Sequence, residues 1–333
     1  MQDHYGHRIS YLRVSITDRC NERCSYCMPQ ELQEWLPRHE ILTYEETLRL
    51  IRIAAELGVS KVRITGGEPL TRRGIVDFVR QVPEIPGITS IGLSTNGTLL
   101  AREISPGKRM AEALRYAGVQ SVNISLDTLD GAVYSQITGR DFHAQVIDGM
   151  DAAIAAGFDQ IKLNAVLMRG RNEDQLLPLI EFAAARNLLL RFIELMPVST
   201  TEVLSESNFM SVMEAKRLVE SAYGNLIPET EFRTNGPATY YQIPGRAQRV
   251  GFIGAMTNMH FCENCNKLRL TCDGKLRPCL GSYLEFDIMG PLRAGASDEQ
   301  LKQFFLNVVD RKPREHDFRN NYQPNRKMIA IGG

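Results

Sequence analysis

The sequence predicts an α/β fold: a partial TIM-like barrel of six βα units, (βα)6, with a C-terminal extension that carries a second cysteine-rich site. Two observations carry the barrel. Short apolar or β-branched runs alternate with amphipathic helical patterns over the first two thirds of the chain, and consecutive runs lie roughly 30–50 residues apart, the span of a βαβ unit. A third observation marks the extension: from about residue 199 this alternation gives way to a stretch rich in Gly, Pro and Thr.

The expected strands are 12–17, 61–65, 90–95, 121–126, 161–168 and 190–196, mostly runs suited to a sheet buried on both faces. Between the first two, Thr43-Tyr-Glu-Glu46 is a capping box that opens a helix over 44–57, and Gly58 ends it. Similar helical patterns occupy 107–117 before Gly118, 145–156 before Gly157, and 174–186. Right-handed crossovers through successive units close toward a barrel; a flat doubly wound sheet is the runner-up. In a barrel, residues at the carboxyl ends of the strands converge on one mouth. The extension reads as a helix over 209–222, strands over 238–243 and 249–255, a cysteine group, and a helix over 298–310 capped by Ser297. The expected domains are 1–200 and 201–333.

The chain has 333 residues, 43% hydrophobic and 23% charged, with a formal net charge of +0, so no global field exists to grip nucleic acid or an anionic membrane. Any anionic substrate must be held by local Arg and Lys. The first residues lack the apolar run of a signal peptide, and no stretch is long and apolar enough for a bilayer span. The expected compartment is the cytoplasm. There thiols stay reduced, and seven cysteines, an odd number, argue against a disulfide framework.

Cys20, Cys24 and Cys27 follow the first strand at C-x3-C-x2-C spacing. Three thiolates in eight residues can hold three corners of a [4Fe–4S] cubane and leave one iron open to a small molecule. A structural zinc site, or a disulfide with a spare thiol, competes with that reading. The second group is Cys262, Cys265 and Cys279, with Cys272 between. It suits either a zinc knuckle of four thiolates or a second cluster on three cysteines with Cys272 a bystander. Lys267, Arg269, Lys275 and Arg277 within it suit a receiver of anions or a solvated basic loop.

Thr65-Gly-Gly-Glu-Pro69 ends the second strand, where two glycines let backbone approach a ligand closely. Ser94-Thr-Asn-Gly97 and Asn123-Ile-Ser-Leu-Asp127 put polar groups at the ends of the third and fourth. Arg13, Arg63, Lys162 and Arg191 interrupt otherwise apolar strands. A buried cation is costly unless paired, so each belongs to a salt bridge or to a polar cavity; four together favour a phosphate-binding cavity. The six histidines show no metal-binding spacing and read as surface or structural, with His260 a minor candidate for the zinc knuckle.

These motifs together resemble the radical S-adenosylmethionine (SAM) superfamily. The cysteine triplet with Tyr26 before its last member is that family's hallmark, and Gly66-Gly67-Glu68-Pro69 its companion. The resemblance narrows to the GTP 3′,8-cyclases of molybdenum-cofactor biosynthesis. It rests on residues 17–29, Arg63-Ile-Thr-Gly-Gly-Glu-Pro69, Arg191-Phe-Ile-Glu-Leu-Met196, Cys262-x-x-Cys-Asn-Lys-Leu-Arg269 and the terminal Gly332-Gly333.

That resemblance implies a radical SAM barrel and two [4Fe–4S] clusters, on Cys20, Cys24 and Cys27 and on Cys262, Cys265 and Cys279. It implies SAM contacts from Tyr26, Gly67, Ser125 and Met196. GTP contacts would come from Arg13, Arg63, Ser94, Lys162, Lys267, Leu268 and Arg269, with Arg191 added. It implies a Gly-Gly tail that reaches into the active site, which would otherwise read as a frayed end. Ser94 stands where Thr is commoner, and Lys267 where Arg is, which turns a bidentate phosphate clamp into a point charge. The implied partners are GTP, an external one-electron reductant, and cyclic pyranopterin monophosphate synthase as receiver of the product, for a monomer or homodimer. A radical SAM enzyme modifying a peptide is the alternative activity; an iron–sulfur or zinc sensor is the non-enzymatic one.

Overall fold

The computed structural model describes residues 1–29, 34–199, 204–320 and 322–332. Its six expected strands are present as β1 (Tyr11–Ser15), β2 (Lys61–Thr65), β3 (Ser90–Thr95), β4 (Ser121–Ser125), β5 (Gln160–Leu167) and β6 (Leu189–Glu194). They pair in chain order and all in parallel. An unbroken order has no point at which the winding reverses, so the doubly wound alternative is excluded. The strands curve as a partial barrel with helices outside.

Those helices are α1 (Tyr44–Glu56), α2 (Ile75–Gln81), α3 (Met110–Tyr116), α4 (Gly131–Thr138), α5 (His143–Ala155) and α6 (Leu176–Ala185). The α1 capping box forms as the sequence requires: Thr43 Oγ1 accepts from the Glu46 amide at 3.1 Å, and Glu46 accepts from the Thr43 amide at 2.8 Å. Sequence reading missed α2 and α4, which are short. One large apolar core fills the layer between sheet and helices, with Leu12, Ile51, Val62, Phe78 and Leu190 buried in it.

The extension completes the same sheet. After α7 (Val212–Tyr223), β7 (Thr239–Gln242) and β8 (Arg249–Ile253) follow, and β8 adds in parallel beside β6. Then β9 (Lys267–Leu270) adds in parallel on the other edge, beside β1, and turns back through β10 (Lys275–Arg277). This corrects the basic-loop expectation, since all four cations lie on strands. In β9 the alternation Lys-Leu-Arg-Leu buries Leu268 and Leu270 and turns Lys267 and Arg269 to the barrel interior. Lys275 pairs with Asp287, and the fully buried Arg277 pairs with Glu285 at 2.7 Å, so these two are structural.

The expected helix over 298–310 is α8 (Asp298–Asp310), capped by Ser297. The expected domain boundary at 200/201 lies outside the described residues, as does Gly333. Among the described residues no helix is long and apolar enough to cross a membrane.

Candidate active site

Every predicted site residue except Leu268 lines one cavity of about 820 Å³ inside the barrel. Leu268 points into the apolar core, which leaves only its main chain for a ligand. The cysteine groups enter at opposite ends. Cys20, Cys24 and Cys27 sit in the loop leaving the carboxyl end of β1, whereas Cys262 and Cys265 precede the amino end of β9, which runs parallel to β1.

At the first end the loop closes on itself, the Cys27 amide donating to the Cys24 carbonyl at 2.9 Å. Burial pushes the Cys20 thiol up to about 12, and burial together with Glu22 and the other two cysteines raises Cys24. Three half-buried thiols lining one cavity, none in a disulfide, are costly to ionise unless a cation replaces their protons. The loop is held from below by the Gly-Gly turn, whose Gly67 amide donates to the Thr17 carbonyl at 2.7 Å. A Cβ at Gly67 would stand 2.4 Å from the Arg19 carbonyl oxygen, too close for any side chain. Gly67→Ala should therefore push the cysteine loop outward at a cost of about 1–3 kcal/mol. A lowered thermal midpoint and reduced iron content after reconstitution would report it.

The buried Glu68 fastens the same turn to the end of β3. Its carboxylate accepts from Leu70 N, Thr95 Oγ1 and Asn96 N, at 2.8 to 2.9 Å, and burial lifts it to about 7. Further acids line the cavity and were not assigned a role from sequence, Glu22 and Asp127 among them. Glu22, lifted by burial to about 7, accepts from the Tyr134 hydroxyl. Asp127, lifted by burial to about 6, accepts from the Tyr26 hydroxyl at 2.7 Å and so orients a predicted SAM contact.

The middle of the cavity is a cationic belt. Register places Arg269, Arg13 and Arg63 side by side across β9, β1 and β2, and Lys162 and Arg191 continue it on β5 and β6. Arg63 donates to the Leu93 carbonyl at 2.7 Å and to Ser121 Oγ at 3.1 Å. Gly92 opposite makes room, since a Cβ there would lie 2.4 Å from the guanidinium. Arg191 is held by Asn164 Oδ1 at 2.6 and 2.9 Å. Among the described residues, no carboxylate forms an ion pair with Arg63, Lys162, Arg191, Lys267 or Arg269, which rules out the salt-bridge reading for the two strand arginines and the lysine. Burial, with Arg191 and Arg63 adding to it, pushes Lys162 down to about 6. Burial, reinforced by Arg13, pulls Arg269 down to about 9. Such a belt is built for a polyanion.

At the second end, burial raises the Cys262 thiol and pushes Cys279 up to about 11. Burial alone would raise Cys265, but the Lys312 and Lys267 ammonium groups outweigh it and hold the thiol below its ordinary value. Cys272 is elsewhere, buried beside Ser15 and Asp18, and does not line the cavity. With Cys272 apart from Cys262, Cys265 and Cys279, the four thiolates of the expected zinc knuckle do not meet at one site. His260 is exposed and pairs with Glu263. Three sulfurs per end, with the Lys312 and Lys267 ammonium groups beside Cys265, fit a polynuclear cluster with one iron free of protein ligand. Lys312 and the buried, cavity-lining His316 were missed in the sequence because neither carries a spacing signal.

The tail is docked. Arg326 pairs with Asp273 and Glu285, Ile329 and Ile331 are buried, and the Gly332 carbonyl accepts from Arg269 Nη1 at 2.6 Å.

Comparison with known proteins agrees with this architecture. A model of the radical SAM superfamily matches residues 14–183, and one described as Molybdenum Cofactor Synthesis C matches residues 188–318. The GTP 3′,8-cyclases of Pelotomaculum thermopropionicum and Moorella thermoacetica are 43% and 45% identical to the chain, each over 100% of both sequences. Among solved structures, Streptococcus suis SuiB bound to its precursor peptide SuiA aligns with a TM-score of 0.61 at 17% identity, covering 96% of this chain and 67% of that one. The anSMEcpe structure with bound AdoMet aligns with a TM-score of 0.58 at 13% identity, covering 92% and 82%. At such identities these two speak for the fold alone.

Proposed function

The chain belongs to the radical SAM superfamily and, within it, to the GTP 3′,8-cyclase family, and from that membership we infer the chemistry of the cavity: the protein converts GTP to (8S)-3′,8-cyclo-7,8-dihydro-GTP, the first step of molybdenum-cofactor biosynthesis. When bound, the [4Fe–4S] clusters and SAM supply a reductive cleavage that gives methionine and a 5′-deoxyadenosyl radical, which takes the 3′ hydrogen of GTP so that C3′ can bond to C8 of guanine.

The observation that carries this reading is the belt of cations, in which no carboxylate among the described residues pairs with Arg63, Lys162, Arg191, Lys267 or Arg269, set between two three-cysteine ends in one cavity. Cys20, Cys24 and Cys27 would hold one cluster, with Tyr26, Gly67, Ser125 and Met196 seating SAM at that end. Cys262, Cys265 and Cys279 would hold the other, at the guanine end. Arg13, Arg63, Lys162, Arg191, Lys267 and Arg269, with Ser94, would fix the triphosphate and ribose, which turns the 3′ hydrogen toward the SAM end. That fixing, and the exclusion of water by the docked tail, is the protein's share of the work. Hydrogen abstraction needs no general base, and none is assigned. The alternative, a radical enzyme acting on a peptide, would leave Arg63, Lys162 and Arg191 without a counter-ion.

On this reading residues 1–200 form the radical SAM barrel and 201–333 the part that carries the second cluster. An external one-electron reductant feeds the protein in the cytoplasm, and the product passes to cyclic pyranopterin monophosphate synthase. Loss of one hydrogen at C3′ and gain of one electron and one proton leave the composition unchanged. Anaerobic turnover of the reconstituted protein with SAM, dithionite and GTP should therefore give a compound isobaric with GTP but chromatographically distinct. Turnover of SAM with GTP recovered intact would overturn the reading.

A further inference from the structure

We propose that Glu194 is a positioning residue that sets the second cysteine group in register with the first, an inference that rests on the cyclase reading. Glu194 is the last residue of β6 and fully buried. One carboxylate oxygen accepts from the Val212 amide at 3.0 Å and from the Thr257 hydroxyl. The other accepts from the amides of Met256 at 2.8 Å and Thr257 at 3.1 Å. Four donors thus fill the acceptor capacity of one carboxylate, and no cation pairs with it among the described residues.

All four donors belong to the C-terminal part of the chain. At the start of α7, Ser211 and Glu214 form the capping box and Glu194 takes only the remaining amide of Val212. What Glu194 adds is a tie to the turn after β8, and that turn leads within five positions from Thr257 to Cys262. Arg319 holds the same turn from the other side, donating to the Met256 carbonyl at 2.9 Å and the Asn258 carbonyl at 2.6 Å. Two positions beyond Glu194, Met196 lines the cavity at the first cysteine end and packs in one small apolar cluster with Val198, Met256 and Phe261. One buried carboxylate therefore joins the strand end that carries Met196 to the turn that delivers Cys262. Displacing that turn would shift the guanine end of the substrate relative to the SAM end, and with it the distance over which hydrogen must be transferred.

The test uses reconstituted holoenzyme carrying Glu194→Gln, in which an amide NH2 faces amide donors and part of the acceptor set is lost. With GTP deuterated at the ribose 3′ position, the ratio of deuterated to undeuterated 5′-deoxyadenosine should fall at least 5-fold while SAM cleavage continues. The electron paramagnetic resonance spectrum of the reduced second cluster should change even without GTP. A purely architectural role would lower both forms of 5′-deoxyadenosine in parallel and leave their ratio as in the unmodified protein. Should Glu194→Gln not fold, Thr257→Val removes a single donor and should move ratio and spectrum in the same direction by less. Ratio and spectrum both equal to those of the unmodified protein overturn the proposal. An unmodified protein that transfers no deuterium overturns the cyclase reading instead, and the spectrum then decides the positioning.

Discussion

Replacing Cys20, Cys24 or Cys27 by Ala should abolish SAM cleavage, at least a 1000-fold loss of 5′-deoxyadenosine on the order expected when the electron path to the sulfonium is removed. Replacing Cys262, Cys265 or Cys279 should leave cleavage running and remove the cyclised product. The two phenotypes differ because the groups lie at opposite ends of one cavity, each in its own loop. Cys272→Ala should leave both products at their unmodified levels. Its thiol is buried beside Ser15 and Asp18, away from either group, so its loss costs only a small void, about 1 kcal/mol of stability. Chromatography of 5′-deoxyadenosine and of the GTP-derived product from the same reactions separates the three outcomes. Product formation by a Cys279→Ala protein would contradict the assignment of the second group.

The second large effect belongs to Lys162. Burial and the neighbouring Arg191 and Arg63 hold it at about 6, so at pH 7.5 the free protein carries it mostly neutral. A triphosphate in the belt reverses the balance, and GTP binding should take up close to one proton. Affinity should then fall by up to tenfold per pH unit as pH rises above about 6, because the neutral amine must be charged to bind. Calorimetry in two buffers of different ionisation enthalpy measures the uptake directly. Lys162→Met should abolish that uptake and raise KM for GTP roughly 10- to 150-fold, the loss of about 1.5–3 kcal/mol for a hydrogen bond to a charged group. The same lysine has a stability signature of opposite sense. The unfolded chain binds its proton up to about 10.5, while the folded protein releases it above about 6. Stability should therefore rise with pH across that interval from this group. Proton release on GTP binding would contradict the placement of Lys162.

The parts of the site that sequence made legible are those whose signal is local. The barrel followed from spacing and burial pattern, and all six expected strands formed near their expected bounds. The belt was legible because a cation inside an apolar strand is itself an anomaly that demands a partner, and no acid answers Arg63, Lys162 or Arg191 among the described residues. In β9 the information was present and overridden. Lys-Leu-Arg-Leu has the period of a strand, but its charge suggested a loop until β1 supplied the neighbour that fixes its register.

What stayed hidden depends on contacts between distant positions. Glu22 meets Tyr134, Lys312 reaches Cys265, and Glu194 gathers donors from 212, 256 and 257. Each is an ordinary residue in its own window. The docking of Gly332 on Arg269 is of the same kind: a terminal glycine reads as a loose end until the Arg326 clamp and two buried isoleucines draw it in.

The central claim is that one cavity brings the ribose of GTP to the radical formed at the first cysteine end. The most direct measurement is mass spectrometry of 5′-deoxyadenosine from anaerobic turnover with SAM, a one-electron reductant and GTP deuterated at the ribose 3′ position. One deuterium in that product is the predicted result. Abundant 5′-deoxyadenosine without deuterium, from protein loaded with both clusters, would contradict it.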